Sequence, residues 1–561
     1  MTRWSWRNLL DRRSLIFLGL VGVLAFNFAI RWRLRDLPLE RDEGEYAYAG
    51  QLILQGIPPY KLAYNMKFPG VYFSYAGLMA VFGETAQGVH MGMILVTSIT
   101  TVLLFLIGRE LIGAAGGLMA AAIFVGLAAL PATFGLAGHA THFISLWVCA
   151  ATLALLKANR KASRAWAAVS GVCFGLAILM KQQAAIFPMF IVAWLVIGEL
   201  KRKTPEWKKL GAQVFAGGIG ACLPLLVTGL GLAYAGVWHQ FCFWTIQYAR
   251  EYASLLPIRT APHQFANGFQ PVFDSSVLVW LFGAAGLVLI LARRHLGDWK
   301  ATGGALFLAG LLATCPGFYF RGHYFLVVMP GMALLNAELF LALGSKLKIL
   351  RHPAWAIALP ICLFCFPMGN LLARNYEFWF DASVPTATRQ LYGSNPFAES
   401  VEIARYLKQN TKPSDTIAVL GSEPEIYFLA QRHSASGYIY TYAFTEPQPL
   451  AARMRHEFIS EIEAARPAYV VFVNLSTSWI SVIYPGTPPD HSIPDWWKGY
   501  AKNYELVGAV ESRDDKPSEF FWGQDVAKHN AAASSSILIY RRLDHGSPNP
   551  ASTGSPSSPA P

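Results

Sequence analysis

Long apolar runs recur between residues 14 and 372, and the chain beyond residue 385 alternates like an ordinary globular protein. The runs lie near 14–31, 87–108, 113–131, 139–157, 165–181, 183–200, 209–235, 275–292, 301–318, 323–343 and 353–372. A helix crossing a bilayer needs about 20 mainly apolar residues, so the pattern predicts about eleven spans. Helices satisfy their own backbone groups inside lipid, which makes an α-helical polytopic bundle the expected fold. Past residue 385, Thr416–Gly421, Ala468–Asn474 and Ser536–Arg541 read as buried strands, and 398–409, 424–432 and 451–465 as helices. That alternation predicts a C-terminal soluble α/β domain. The domain plan is therefore 1–374 for the spanning part, with a first outer loop at 32–86, then 375–545 for the soluble part. Residues 546–561, rich in Ser, Pro and Gly, are expected to be disordered.

Composition agrees: 54% of the residues are hydrophobic and only 14% charged, against roughly a quarter in soluble proteins. The net charge of +12 could suggest nucleic acid, but Lys and Arg gather in short loops between apolar runs, which excludes that reading. Arg109, Lys157–Arg164, Lys201–Lys209, Arg293–Lys300 and Lys346–Arg351 fall on one side, as positive-inside topology requires. The N-terminus is then cytoplasmic, and an odd span count puts the C-terminal domain on the periplasmic or extracellular side of the cytoplasmic (inner) membrane. Arg3, Arg7, Arg12 and Arg13 precede the first run without a small-residue cleavage site, so an uncleaved first span is expected. All seven cysteines precede residue 372, so the soluble domain has no disulfide framework.

The first outer loop is the richest in chemistry. Asp42, Glu43 and Glu45 cluster just beyond the first span, and Tyr46–Gln55 reads as an interfacial amphipathic helix ended by Gly56 and Pro58. Asp42, Glu45 and Tyr46 share one side at i, i+3, i+4 spacing. Asp-x-x-Glu at a helix start is also a capping box, a purely structural use. Three acids exceed what one cap needs, however, and a lone Lys67 follows in an apolar, aromatic stretch. Ionisable groups at a membrane margin are costly and mark substrate paths. An acid with a cation suits a transfer in which carboxylate takes a hydroxyl proton and lysine holds a phosphate leaving group.

These residues resemble the polytopic glycosyltransferases of the C superfold, in the bacterial branch related to protein O-mannosyltransferases and lipid A aminoarabinose transferases. That family opens its first outer loop with Asp-Glu and a following Tyr, matched by Asp42, Glu43 and Tyr46, and places Lys-Pro-Pro some two dozen residues on. Here the second motif reads Lys67-Phe68-Pro69, a partial match. The likeness covers the whole spanning region, and the order of loops agrees. It implies an inverting transfer of sugar from a polyprenyl-phosphate donor at the outer face, with Asp42 as general base, Lys67 on the donor phosphate and Tyr64 beside it. Glu43, Glu45 and Tyr46 would line the same pocket. Two departures stand out: Met66 replaces an acid implicated in metal binding, and Gly138-His139-Ala140-Thr141-His142 stands where relatives often carry an acid. Both put a bound divalent metal in doubt, so no cofactor is expected.

Other outer-side residues carry alternatives. His139 and His142, three apart on one helical face, suit metal ligation, acceptor contact or structural hydrogen bonding. Lys181 either contacts phosphate or sugar, or snorkels to the interface. Arg250, between Tyr248 and Tyr252, suits phosphate with sugar stacking, although aromatic belts are general in membranes. In Phe318–Phe325, relatives often show an aromatic and basic cluster facing the donor head group; Arg321 is then a second phosphate ligand or a topological anchor, with His323 and Tyr324 beside it. Arg432 and His433 could touch an acceptor but read rather as an exposed polar helix end, and no catalytic residue is placed in the soluble domain.

The sequence thus predicts a polyprenyl-phosphate-sugar-dependent glycosyltransferase embedded in membrane lipid, with a glycan, lipid or protein as acceptor. Burial is expected to lift Asp42 above the ordinary aspartate pKa of ~3.9. The rival classes are a transporter or flippase of lipid-linked saccharides and a non-catalytic envelope assembly protein. Transporters commonly carry internal repeats and broken mid-membrane helices, neither of which is evident here.

Overall fold

A computed structural model describes residues 12–292, 297, 299–349, 353–479, 491–512, 517–530 and 535–545. The expected disordered tail, 546–561, and the arginines at 3 and 7 lie outside these residues. The chain divides into two compact units, Met1–Gly393 and Ser394–Pro561, so the boundary falls later than the expected 374/375. The cause is the helix Val384–Tyr392, which belongs to the first unit.

The first unit is helical. Its elements are α1 (Arg12–Arg33), α2 (Arg41–Leu54), α3 (Gly70–Phe82), α4 (Ala86–Ile112), α5 (Ala114–Leu127), α6 (Ala140–Lys161), α7 (Arg164–Met180), α8 (Ile186–Leu200) and α9 (Trp207–Tyr234). There follow α10 (Trp238–Cys242) and α11 (Ala249–Ala253), joined by a π-turn, then α12 (Ala261–Ser275), α13 (Val277–Ala292), α14 (Thr302–Ala313), α15 (Met329–Ile349), α16 (Pro353–Tyr376) and α17 (Val384–Tyr392). Among the described residues six helices are long and apolar enough to cross a bilayer: α1, α4, α6, Gln182–Leu200, α9 and Gly322–Ser345. The runs expected to span at 113–131, 165–181, 275–292 and 301–318 form helices of 14, 17, 16 and 12 residues, shorter than the ~20 that cross unaided. Helix α9 exposes Phe215, Ile219, Leu223, Leu226, Val227 and Leu230. So continuous an apolar face needs lipid rather than water as its solvent. The chain is a multi-pass membrane protein.

The loop between α1 and α4 is more structured than a loop. Its helix α2 is buried at ten consecutive residues, Glu43–Leu52, and so is not the amphipathic interfacial helix that the sequence predicts. The missing cover is α3: the Gly50 backbone packs directly against Tyr75 and Ala76. This close packing fixes α2 as part of the protein core, and the site is built on it.

The second unit holds α18 (Phe397–Asn410), β1 (Thr416–Leu420), α19 (Glu425–Ala430), β2 (His433–Ser434), α20 (Tyr442–Thr445), α21 (Ala451–Ala465), β3 (Tyr469–Asn474), α22 (Ser476–Trp479), α23 (Ser492–Tyr500), β4 (Tyr504–Glu511), β5 (Glu519–Trp522) and β6 (Ser536–Arg542). The sheet order is β2-β1-β3-β6-β4-β5. Strands β2, β1 and β3 run parallel, and the remaining pairings are antiparallel. The three predicted strands and three predicted helices are present. Arg432 is not exposed: it is buried and donates to the carbonyls of Lys408 and Thr411, tying α18 to the turn before β2.

Candidate active site

Helix α2 starts with a capping box, but its members are Glu40 and Glu43. The Glu40 side chain accepts from the Glu43 amide at 3.0 Å, and Glu43 accepts from the Glu40 amide at 3.3 Å. Asp42 and Glu45 are thereby released from capping and face Lys67. The Lys67 Nζ donates to Asp42 Oδ1 at 2.8 Å and to Glu45 Oε2 at 2.7 Å, and lies 4.6 Å from the centre of the Tyr46 ring. Tyr72 donates to Glu45 Oε1 at 2.6 Å, and Tyr60 to the Lys67 carbonyl at 2.7 Å. The i, i+3, i+4 face predicted for Asp42, Glu45 and Tyr46 is thus the face that receives Lys67.

One cation cannot fully offset a buried and a half-buried carboxylate. Burial works to raise the Asp42 carboxyl, but Lys67 and His139 hold it well below the usual carboxylate range. Burial prevails at Glu45, whose carboxyl stays above its usual range despite Lys67. Burial also opposes the charge on Lys67, yet Asp42 and Glu45 outweigh it and raise the ammonium. The two partners of Lys67 therefore differ: the neighbouring cation prevails at Asp42, and burial prevails at Glu45. The expectation that burial would lift Asp42 is corrected, because the neighbouring cation dominates.

The other Asp42 oxygen, Oδ2, lies 3.6 Å from His139 Nδ1. The His139 ring stacks on His323, with centroids 4.1 Å apart and planes 7° apart. Asp42, His139 and His323 bring their donor atoms within 4.8 Å of one another, and both buried His139 ring nitrogens lack a hydrogen-bond partner. Two imidazoles and one carboxylate fit the donor set of a zinc-type divalent cation.

His142 is not part of this group. His139 is the extended residue before α6, so the two histidines do not share a helical face; His142 Nε2 donates to the Gly135 carbonyl at 3.0 Å. Lys181 Nζ sits 4.0 Å over the Tyr324 ring, and Arg321 lies 5.6 Å over that of Tyr319. Both cations act electrostatically on Tyr324 and His323, as does Asp42, so these residues are one neighbourhood. Tyr64 stacks on Trp244 at 5.4 Å, and Trp244 meets Tyr248 edge-on, which makes Tyr248 a buried wall residue. Arg250 is exposed. Glu43, Glu45 and Tyr46, at 0, 0 and 1% exposure, support the site from beneath and offer no open face to a substrate. Sequence reasoning missed Glu40, Tyr60 and Tyr72; the last two stand in the same aromatic stretch as Lys67, the one signal that could have flagged them.

Residues 67–227 match the family model described as dolichyl-phosphate-mannose-protein mannosyltransferase, a match that opens on Lys67. No curated protein matches the chain in sequence. Among solved structures, ArnT from Cupriavidus metallidurans bound to undecaprenyl phosphate is similar at a TM-score of 0.57 and 14% identity, covering 96% of this chain and 100% of that one. The Archaeoglobus fulgidus oligosaccharyltransferase tethered to an acceptor peptide is similar at 0.56 and 13%, covering 94% and 76%. AglB from the same organism, in complex with an inhibitory peptide and a dolichol-phosphate, is similar at 0.53 and 13%, covering 95% and 76%. The chain therefore shares the fold of these polytopic structures, and its segment 67–227 resembles the mannosyltransferase family model.

Proposed function

We propose that the protein is an inverting glycosyltransferase that takes a sugar from a polyprenyl-phosphate donor at the outer face of the membrane and passes it to a hydroxyl acceptor. The observation that carries this reading is the Asp42 carboxylate, held between Lys67 and His139 with Lys181 and Arg321 in the same neighbourhood. Similar proteins solved with undecaprenyl phosphate and with a dolichol-phosphate support the donor class.

In the step, Asp42 accepts the proton of the acceptor hydroxyl while its oxygen attacks the anomeric carbon from the face opposite the phosphate. The carbon–oxygen bond to phosphate breaks, and its electron pair leaves on polyprenyl phosphate. A hydroxyl becomes acidic as its oxygen bonds to carbon, so a weak base already in place suffices; such catalysis is typically worth about 10²–10⁴-fold. Lys181 and Arg321 stabilise the leaving phosphate, and Lys67 keeps Asp42 ionised. A divalent cation held by Asp42, His139 and His323 would supply Lewis-acid stabilisation of phosphate charge.

The test is purified protein with radiolabelled polyprenyl-phosphate sugars and membrane acceptors. Release of polyprenyl phosphate, lost in Asp42→Asn with the fold intact, is the expected result. Turnover retained in Asp42→Asn overturns the mechanism, and movement of intact lipid without release supports a flippase.

A further inference from the structure

Glu43 belongs to the sequence motif of the site yet is wholly buried. Its two oxygens have separate tasks. Oε2 completes the cap of α2, while Oε1 accepts from the Gly138 amide at 2.5 Å and faces His90 Nε2 at 3.3 Å. The carbonyl of the same residue accepts from the Tyr75 hydroxyl at 2.7 Å. The Gly138 backbone is therefore gripped on its N–H by α2 and on its C=O by α3. A Cβ at this position would overlap the Tyr75 hydroxyl and stand 3.2 Å from Glu43 Oε1, so only glycine admits both contacts. The next residue is His139, whose ring faces Asp42. Upstream, Arg31 donates to the carbonyls of Ala128 and Gly135 at 2.9 and 2.8 Å, so the segment leading to His139 is held at both ends.

We infer that Glu43, Tyr75 and Gly138 form a positioning clasp that sets His139, and with it the Asp42–His139 spacing, for the transfer step. Glu43 and Asp42 are adjacent on α2, so the carboxylate that grips the histidine's backbone and the carboxylate that meets its ring move as one body. Glu43 is thus a positioning residue rather than a substrate ligand. A capping role alone would engage Oε2 and leave Oε1 unneeded. A general packing role would not require hydrogen bonds on both sides of one peptide backbone.

The inference rests on the transferase reading for its kinetic arm, and a structural arm is independent of turnover. Gly138→Ala, Tyr75→Phe and the double variant are made in the full chain and assayed with the radiolabelled polyprenyl-phosphate sugar that wild type turns over. Gly138→Ala is expected to lower kcat about 100-fold with donor KM within twofold. Tyr75→Phe alone, losing one hydrogen bond, lowers kcat about fivefold. The double variant returns to the level of Tyr75→Phe, because the hydroxyl that blocks the methyl is gone. In parallel, cryo-electron microscopy of each variant measures the separation of Asp42 and His139, expected to open in Gly138→Ala and recover in the double variant. Unchanged spacing, or losses confined to Tm with kcat per folded molecule preserved, overturns the clasp. If Gly138→Ala does not fold, Tyr75→Phe and the double variant decide. If wild type turns over no donor while the spacing still moves as stated, the clasp stands and the transferase reading falls.

Discussion

The Lys67 ammonium donates to Asp42 at 2.8 Å and to Glu45 at 2.7 Å, one cation serving two carboxylates that flank a turn of α2. With its side chain only 8% exposed, Lys67 is structural before it is catalytic. Removing one partner of a buried ion pair leaves an uncompensated charge and typically costs about 3–5 kcal/mol. Lys67→Met is expected to lower thermal stability by that order and to abolish activity. Lys67→Met combined with Glu45→Gln recovers much of the stability, because one neutralised carboxyl removes the repulsion with Asp42, but it does not recover activity. Differential scanning fluorimetry in detergent reads the first effect and donor turnover the second. Equal stability losses in the single and double variants would show that the charges are not coupled.

The Asp42–His139–His323 group makes a separate prediction. Equilibrium dialysis with micromolar Zn²⁺ is expected to give one bound ion per chain, lost in His139→Ala and in His323→Ala and kept in His142→Ala. His142 serves as the control because its ring is bonded to the Gly135 carbonyl instead. Chelator treatment of wild type then removes the ion without unfolding the chain. Zinc bound equally by all three variants would place the ion elsewhere.

Part of this site could be read from sequence and part could not, for a physical reason. Glu40…Glu43 and Asp42…Glu45 have the same three-residue spacing, so local periodicity cannot decide which pair caps the helix. Lys67 decides it, through a tertiary contact. The histidine pair shows the same limit: His139 and His142 are close in sequence, yet the ring beside His139 is that of His323, brought in from far along the chain. Apolar runs and strand patterns depend on neighbours within a few residues, so the long apolar helices α1, α4, α6 and α9 and the strands β1, β3 and β6 were legible. Strands β2, β4 and β5 were not; β4 carries a bulge between Leu506 and Gly508, which breaks the alternation that marks a strand. Helix α3 was also missed, because an apolar, aromatic stretch within an outer loop does not announce that it covers α2.

Packing between α7 and α9 yields a third expectation. A Cβ at Gly171 would collide with the Gly217 carbonyl, and one at Gly220 with that of Ala168. Small residues let membrane helices approach backbone to backbone, where dispersion and weak contacts hold them. Gly171→Leu should force the pair apart and lower stability by about 1–3 kcal/mol or more, and Gly218→Leu should be neutral because nothing lies within 4 Å of its position. Thermal unfolding of the two variants in the same detergent distinguishes them. Similar losses in both would mean that α9 packs through a different face.

The second unit has a pH-sensitive contact of its own. Asp415 Oδ2 accepts from the Lys412 amide at 2.7 Å and meets His545 Nε2 at 3.0 Å. Burial works to raise this carboxyl, but the Lys412 amide and His545 hold it below the ordinary aspartate range. Its folded pKa is lower than its unfolded value of ~3.9, so the unfolded chain binds more protons as pH falls. The stabilisation is complete above that value and is lost as pH drops through the folded pKa. Asp415→Asn is therefore expected to weaken the unit at pH 7, by about 0.5–1.5 kcal/mol for one such hydrogen bond, and to bring wild type and variant together near pH 2. Hydrogen exchange of the β1 amides in the full chain, at pH 7 and at low pH after correction for intrinsic rates, measures both. A difference that stayed constant down to pH 2 would mean that Asp415 stabilises the unit through something other than its charge.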